Sequence, residues 1–321
     1  MRPKVLITQK LLPEATAYLK NHVDYETAAE EGFPRREDIL SKIKDKQGLL
    51  CLLTDTIDKE IMDAAPKLKI IANCAVGYDN IDVKSALERG ILVTNTPGVL
   101  TETTADLTWG LILSTARRIP EADRFTRQMK YQGWKLDLLL GMDLTEKRLG
   151  IIGMGRIGRA VALRAHPFKM HIVYHDPSRL TPKEETRFKS AYLPLDALLK
   201  TSDIITLHTA LNPQTRHLIS RRELELMKRD AILINVSRGP VVDEKALADA
   251  LEEKRIRAAG LDVYEKEPVI EKKLLSLDNA VLVPHIGSAT YETRLKMARM
   301  AAVNLVKGVT GKKPDHPVNW R

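Results

Sequence analysis

Three charged side chains follow closely on three successive apolar, β-branched runs: Arg238 after "AILINVS", Glu267 in "GLDVYEKEP", and His285 after "AVLVP". A guanidinium presents a planar fork of donors that matches a carboxylate. An imidazole gives or takes a proton near neutral pH. A carboxylate beside that ring orients it and favours its charged form. Together the three could hold a small organic acid and move a proton to or from one of its oxygens. Each also has an ordinary explanation. Arg238 precedes Gly239-Pro240, which is turn chemistry, Glu265 rivals Glu267, and loops collect polar residues such as His285. Their shared placement favours the chemistry, because ligands of an open α/β sheet bind outside the carboxyl ends of its strands.

A second group points to what such a site would work with. In "LGIIGMGRIGRA" an apolar run ends at Gly153, and Gly153, Gly155 and Gly158 form G-x-G-x-x-G. The first glycine permits the tight turn, the second lets backbone approach a pyrophosphate, and the third lets helix pack on strand. The pyrophosphate then meets free N–H groups at the positive end of the helix. Asp176 ends the next strand-like run, "HIVYHD", 18 residues after Gly158. That is the place for the carboxylate that accepts ribose hydroxyls. Asp176 favours NAD, since it repels a 2′-phosphate. Ser178 and Arg179 follow it, and an arginine there accommodates that phosphate, so NADP stays open.

The elements that must position these groups alternate along the chain. Strand-like runs at residues 4–7, 48–53, 69–74 and 91–94 are separated by helical periodicity, which argues βαβ units and a parallel sheet. A long helical run over 102–130 follows, interrupted near Pro120. A second alternating series begins at Arg148 and ends in "NAVLVPH"; a last helix runs from about Ser288 to Lys307. The expected fold is α/β, with two doubly wound parallel-sheet domains. The length of 321 residues suits two domains. Apolar residues make up 44% and charged residues 29%, as in a soluble globular protein. No apolar run nears the roughly 20 residues that span a bilayer, and the N-terminus has no leader-like apolar stretch. Cys51 and Cys74 lack metal-ligand spacing and read as buried, reduced thiols, so we expect a cytoplasmic protein without a metal. The net charge of +9 is scattered among acids, and aromatic content is 5%, too sparse for base stacking, which argues against nucleic acid. A basic surface instead suits small anionic substrates.

These motifs, with "NCAVGYDNID", "TNTPGVLTE", "TTADLTWGLIL", "NVSRGPVVDEKAL" and "LVPHIGSAT", span nearly the whole chain. The chain resembles the D-isomer-specific 2-hydroxyacid dehydrogenases, in particular their glyoxylate/hydroxypyruvate reductase branch. The resemblance implies a Rossmann cofactor domain, residues 99–286, inserted in a flavodoxin-like substrate domain, residues 1–98 plus 287–321. It implies Arg238, Glu267 and His285 as the catalytic three, and selects Glu267 over Glu265 because Glu267 precedes proline. Val76 and Gly77 would receive the substrate carboxylate through backbone N–H groups, alongside Arg238 and His285. Cofactor contacts would fall on Thr104, Gly153, Gly155, Arg156, Ile157, Gly158, Asp176, Val236, Asp262 and Gly287, with Asp262 holding the nicotinamide amide. It further implies closure about hinges near residues 97–100 and 287–289 and a homodimer formed through the 102–130 region and the arm after it, with Trp134 either reaching a neighbouring subunit's pocket or simply buried in the interface. The chain departs from relatives at Lys169, where glycine is common. NAD-sensing corepressors share this framework without its turnover as their task, and a short phosphoglycerate dehydrogenase is a further alternative.

Overall fold

The protein, in a computed structural model that describes residues 2–319, divides into two compact units. One contains the chain up to Leu100 and again from Ser288; the other is Thr101–Gly287. The first opens with β1 (Lys4–Gln9), α1 (Pro13–His22), β2 (Asp24–Ala29), α2 (Arg36–Lys42), β3 (Gly48–Cys51), α3 (Lys59–Asp63), β4 (Ile70–Asn73), α4 (Val83–Glu88) and β5 (Leu92–Thr94). Its strands are all parallel in the order β2-β1-β3-β4-β5, the flavodoxin order.

The second unit runs through α5 (Thr101–Ala116), α6 (Ile119–Arg127), β6 (Arg148–Ile152), α7 (Arg156–Ala165), β7 (His171–His175), α8 (Pro182–Phe188), β8 (Ser190–Tyr192), α9 (Leu195–Thr201) and β9 (Ile204–Leu207). It continues through α10 (Arg221–Leu226), β10 (Ile232–Asn235), α11 (Glu244–Glu252), β11 (Ala258–Leu261), α12 (Lys272–Ser276) and β12 (Ala280–Leu282). Its seven strands are parallel in the order β12-β11-β10-β9-β6-β7-β8. Strand order reverses between β6 and β9, and a ligand crevice forms at such a switch point. The chain then closes the first unit with α13 (Tyr291–Val309), whose Met297, Ala301, Ala302 and Leu305 pack with Val5, Ile7, Leu50 and Ile70.

Central strands such as "IITL" (β9) and "ILIN" (β10) are buried along their whole length, because helices cover both faces of the sheet; hence their unbroken apolar runs. β2 and β8 escape a reading by pattern. Both are edge strands, and "DYETAA" and "SAY" alternate too weakly to announce themselves. The 102–130 run is two helices, parted where Arg118 takes the left-handed conformation with φ 54°. Pro120 sits in the first turn of α6, where proline is tolerated. The last helix begins at Tyr291, three residues later than expected, because the Thr290 side chain accepts the Thr293 N–H and caps it. The unit boundaries lie slightly beyond those read from sequence: residues 99–100 stay with the first unit. Gly287 stays with the second, its N–H bound to Asp262. Among the described residues no helix is long and apolar enough to cross a membrane.

Candidate active site

In the second unit, the loops after β10, β11 and β12 are built on one another. Asn235, the last residue of β10, accepts the Ser237 N–H (3.0 Å) and hydroxyl (2.8 Å) and donates to the Arg238 carbonyl (3.0 Å). That turn brings out Arg238, half-buried, with Nη1 on the Ser237 carbonyl at 2.9 Å. The next residue, Gly239, lies so close to the Tyr264 carbonyl that any Cβ would overlap it. The Arg238 loop therefore rests directly on the loop that carries Glu267. Glu244, buried at the start of α11, anchors that second loop by accepting the N–H groups of Glu265 (2.5 Å) and Glu271 (2.6 Å).

Glu267 accepts the Tyr264 N–H at Oε1 (3.1 Å), and its Oε2 pairs with His285 Nδ1 at 2.8 Å. His285 adopts φ 52°, in the left-handed region. Asp262 stabilises that conformation: its carbonyl accepts the His285 N–H (2.9 Å), and its two carboxylate oxygens accept those of Ile286 (2.6 Å) and Gly287 (2.8 Å). With Nδ1 engaged by Glu267, Nε2 is the ring nitrogen left to exchange a proton with a substrate. Burial pushes the Glu267 carboxyl upward. The His285 hydrogen bond and charge, the Tyr264 N–H and the charge of Arg238 outweigh this and hold it below its ordinary value. At Asp262 the balance is opposite: burial pushes the carboxyl up to about 6 against the pull of the Ile286 N–H and the His285 charge.

The dinucleotide edge lies at the switch point of the same sheet. Gly153 takes φ 94°, and a Cβ there would come within 2.7 Å of the His208 carbonyl. Gly158 packs its Cα onto the Gly153 carbonyl, leaving no room for a side chain. Nothing lies within 4 Å of the Cβ position at Gly155, so the approach to the N-terminus of α7 at Arg156 and Ile157 is open. Asp176 accepts the Met154 N–H at one oxygen and the Ser178 N–H at the other, each at 2.8 Å. At the carboxyl end of β9, His208 Nδ1 and the Thr209 hydroxyl are buried without a partner among the described residues, and burial lowers the His208 pKa to about 3. Open backbone at Gly155 and unmet polar atoms beside Gly153 fit a phosphorylated dinucleotide in this crevice. Thr104, buried on α5, lies against Gly287, and Val236 is buried directly after β10.

Arg179 is occupied: it pairs with Glu185 through Nε (3.0 Å) and Nη2 (3.3 Å) and lies over the Tyr192 ring. Val76 and Gly77 belong to the first unit, half-buried just beyond the end of β4. The structure thus gathers Arg238, Glu267, His285 and Asp262 on adjoining loops, and places the glycine turn and Asp176 at the switch point of the same sheet. Residue type alone does not single out Asn235, Gly239 or Glu244. "RGP" hints at a turn after Arg238, but only the fold reveals what Gly239 touches.

Such a sheet, with a dinucleotide turn at its switch point and an imidazole–carboxylate pair on the loops after β11 and β12, defines a Rossmann-type dinucleotide-binding protein equipped for proton transfer. Residues 109–287 match the family described as D-isomer specific 2-hydroxyacid dehydrogenase, NAD binding domain. A glyoxylate reductase of Korarchaeum cryptofilum is 48% identical over 99% of this chain and 96% of its own length. Another, from Thermococcus kodakarensis, is 48% identical over 99% and 97%. Among solved structures, the TT0316 protein of Thermus thermophilus is 43% identical, with TM-score 0.92 over 98% of this chain and 99% of that one. An NADPH-dependent glyoxylate/hydroxypyruvate reductase of Sinorhizobium meliloti, in complex with NADP and malonate, is 33% identical, with TM-score 0.87 over 99% and 97%. The chain belongs to the D-isomer specific 2-hydroxyacid dehydrogenases.

Proposed function

We propose that the protein reduces glyoxylate and hydroxypyruvate to glycolate and D-glycerate, and runs the reverse oxidation as a D-2-hydroxyacid dehydrogenase. One observation carries the reading: His285, fixed through Nδ1 by Glu267 at 2.8 Å, leaves Nε2 available beyond the carboxyl end of the parallel sheet that also carries the dinucleotide turn. The bound nicotinamide dinucleotide supplies the hydride. Arg238 clamps the keto acid's carboxylate and polarises its carbonyl with the guanidinium fork. The N–H groups of Val76 and Gly77 receive carboxylate oxygen. Protonated His285 delivers its proton to the carbonyl oxygen, where negative charge gathers, and Glu267 supports the imidazolium. In the reverse direction neutral His285 takes the proton of the hydroxyl.

We further propose NADH as the preferred cofactor. Asp176 stands at the end of β7 with its carboxylate held by Met154 and Ser178. Arg179, the cation that could meet a 2′-phosphate, is tied to Glu185. The protein is proposed to work as a homodimer. After α6, whose residues are all at least partly exposed, Met129, Tyr131, Trp134, Leu136 and Leu140 project as exposed apolar side chains within one short stretch, and clusters of that kind mark association surfaces.

The test is loss of nicotinamide absorbance with NADH and NADPH separately, against glyoxylate, hydroxypyruvate, pyruvate and phosphohydroxypyruvate. Rapid oxidation of NADH by the first two is expected. NADH binding without turnover of any of the four would overturn the reductase reading in favour of a nucleotide-sensing scaffold. Preference for phosphohydroxypyruvate would make the protein a short phosphoglycerate dehydrogenase.

A further inference from the structure

Four consecutive carbonyls beyond β4 are held by fixed donors. Those of Ala75 and Tyr78 accept backbone N–H groups, from Thr96 (2.9 Å) and Ile81 (3.1 Å). The middle two accept side-chain amides: Val76 from Asn95 Nδ2 and Gly77 from Asn73 Nδ2, each at 2.8 Å. Asn73 ends β4 and is fully buried, whereas Asn95 directly follows β5. Asn73 also donates to Asn80 Oδ1 (3.1 Å), and Asn80 Nδ2 donates to the carbonyls of Leu52 and Asp55, each at 3.0 Å. The loop is therefore tied to three neighbouring strand ends.

A peptide unit is planar and trans, so its C=O and N–H point in opposite directions. Fixing the carbonyl of Val76 thus aims the N–H of Gly77, fixing that of Gly77 aims Tyr78, and fixing that of Ala75 aims Val76. Among the described residues, none accepts the N–H of Val76, Gly77 or Tyr78. Unpaired backbone N–H groups in succession are the kind of donors that anion sites use.

We propose that Asn95 is a positioning residue for the substrate's carboxylate: by holding the Val76 carbonyl it aims the Gly77 N–H, beside the Val76 N–H that the bonded Ala75 carbonyl sets. The proposal rests on the reading that Val76 and Gly77 receive that carboxylate. Donors set in advance spare the ordering cost of binding.

The experiment compares the parent with Asn95→Ala and Asn95→Leu; leucine keeps the branching of asparagine and lacks the donor. With glyoxylate and NADH, both variants should raise KM about tenfold, the upper range for one hydrogen bond. Their kcat and their affinity for NADH should stay near the parent's, as for an interaction made equally in ground and transition states. In parallel, oxalate should protect the amides of Val76 and Gly77 from hydrogen exchange in the parent and not in Asn95→Leu. A parent-like KM in Asn95→Leu with retained protection overturns the positioning role and leaves the reductase reading intact. A parent that neither reduces glyoxylate nor shows protection by oxalate overturns both. A parent without turnover, protected by oxalate through Asn95, overturns the reductase reading alone.

Discussion

His285 sits at a strand end in a left-handed conformation, and its ring is oriented by one carboxylate and its backbone by another. His285→Ala is expected to lower turnover by roughly 10²–10⁴-fold, the usual loss when general acid catalysis is removed. NADH affinity should be kept; stopped-flow absorbance and fluorescence titration read the two separately. Glu267→Gln tests the pair through pH. The charged carboxylate favours the imidazolium, and reciprocally His285 contributes to holding the Glu267 carboxyl below its ordinary value of 4.5. The alkaline limb of reduction and the acid limb of oxidation should both move down, and limbs that stay in place would refute the pairing. The residue types were legible in sequence because chemistry narrows them to few. Their supports were not: Glu244 in "DEKAL" looks like a first-turn helix acid, yet it accepts two N–H groups of the loop that holds Glu267.

At the scale of elements, the turn between β6 and α7 separates two uses of glycine. Gly158 is needed for packing, since a Cβ would strike the Gly153 carbonyl; Gly155 faces open space with an ordinary φ of −72°. Gly158→Ala should therefore destabilise the fold by roughly 1–3 kcal/mol, the range for overpacking. Gly155→Ala should leave the melting temperature nearly unchanged while weakening NADH binding, because its methyl group occupies the space a pyrophosphate needs. Thermal unfolding and NADH titration of both variants check the contrast, and equal melting temperatures would contradict it. Central strands and the glycine turn were readable because buried parallel strands are unbroken apolar runs. Edge strands β2 and β8 were not, because one side of each lacks a pairing neighbour and less of their pattern is dictated by burial.

For the whole molecule, the stretch after α6 presents the clearest uncovered apolar surface. Trp134 is 79% and Leu136 80% exposed within this chain. Replacing both by Asp should convert the proposed dimer to a monomer in sedimentation experiments without unfolding either unit. A parent that already sediments as a monomer would remove the dimer. Sequence pointed to the region from Glu102 onward, but α5 is spent inside its own unit: Ala105, Trp109, Leu111 and Ile112 belong to the core with β6 and β10. Periodicity marks an apolar face without telling which surface will cover it.

The placement of α13 bears on how the chain folds as it leaves the ribosome. Residues 101–287 complete their own sheet without help from the segment C-terminal to them. The five strands made first must wait, because Met297, Ala301, Ala302 and Leu305 fill the core between them and the last helix. Domains commonly fold in order of synthesis. Here the earliest-made strands are expected to be the last to become protease-resistant, and ribosome-stalled chains ending before and after α13 would time that step.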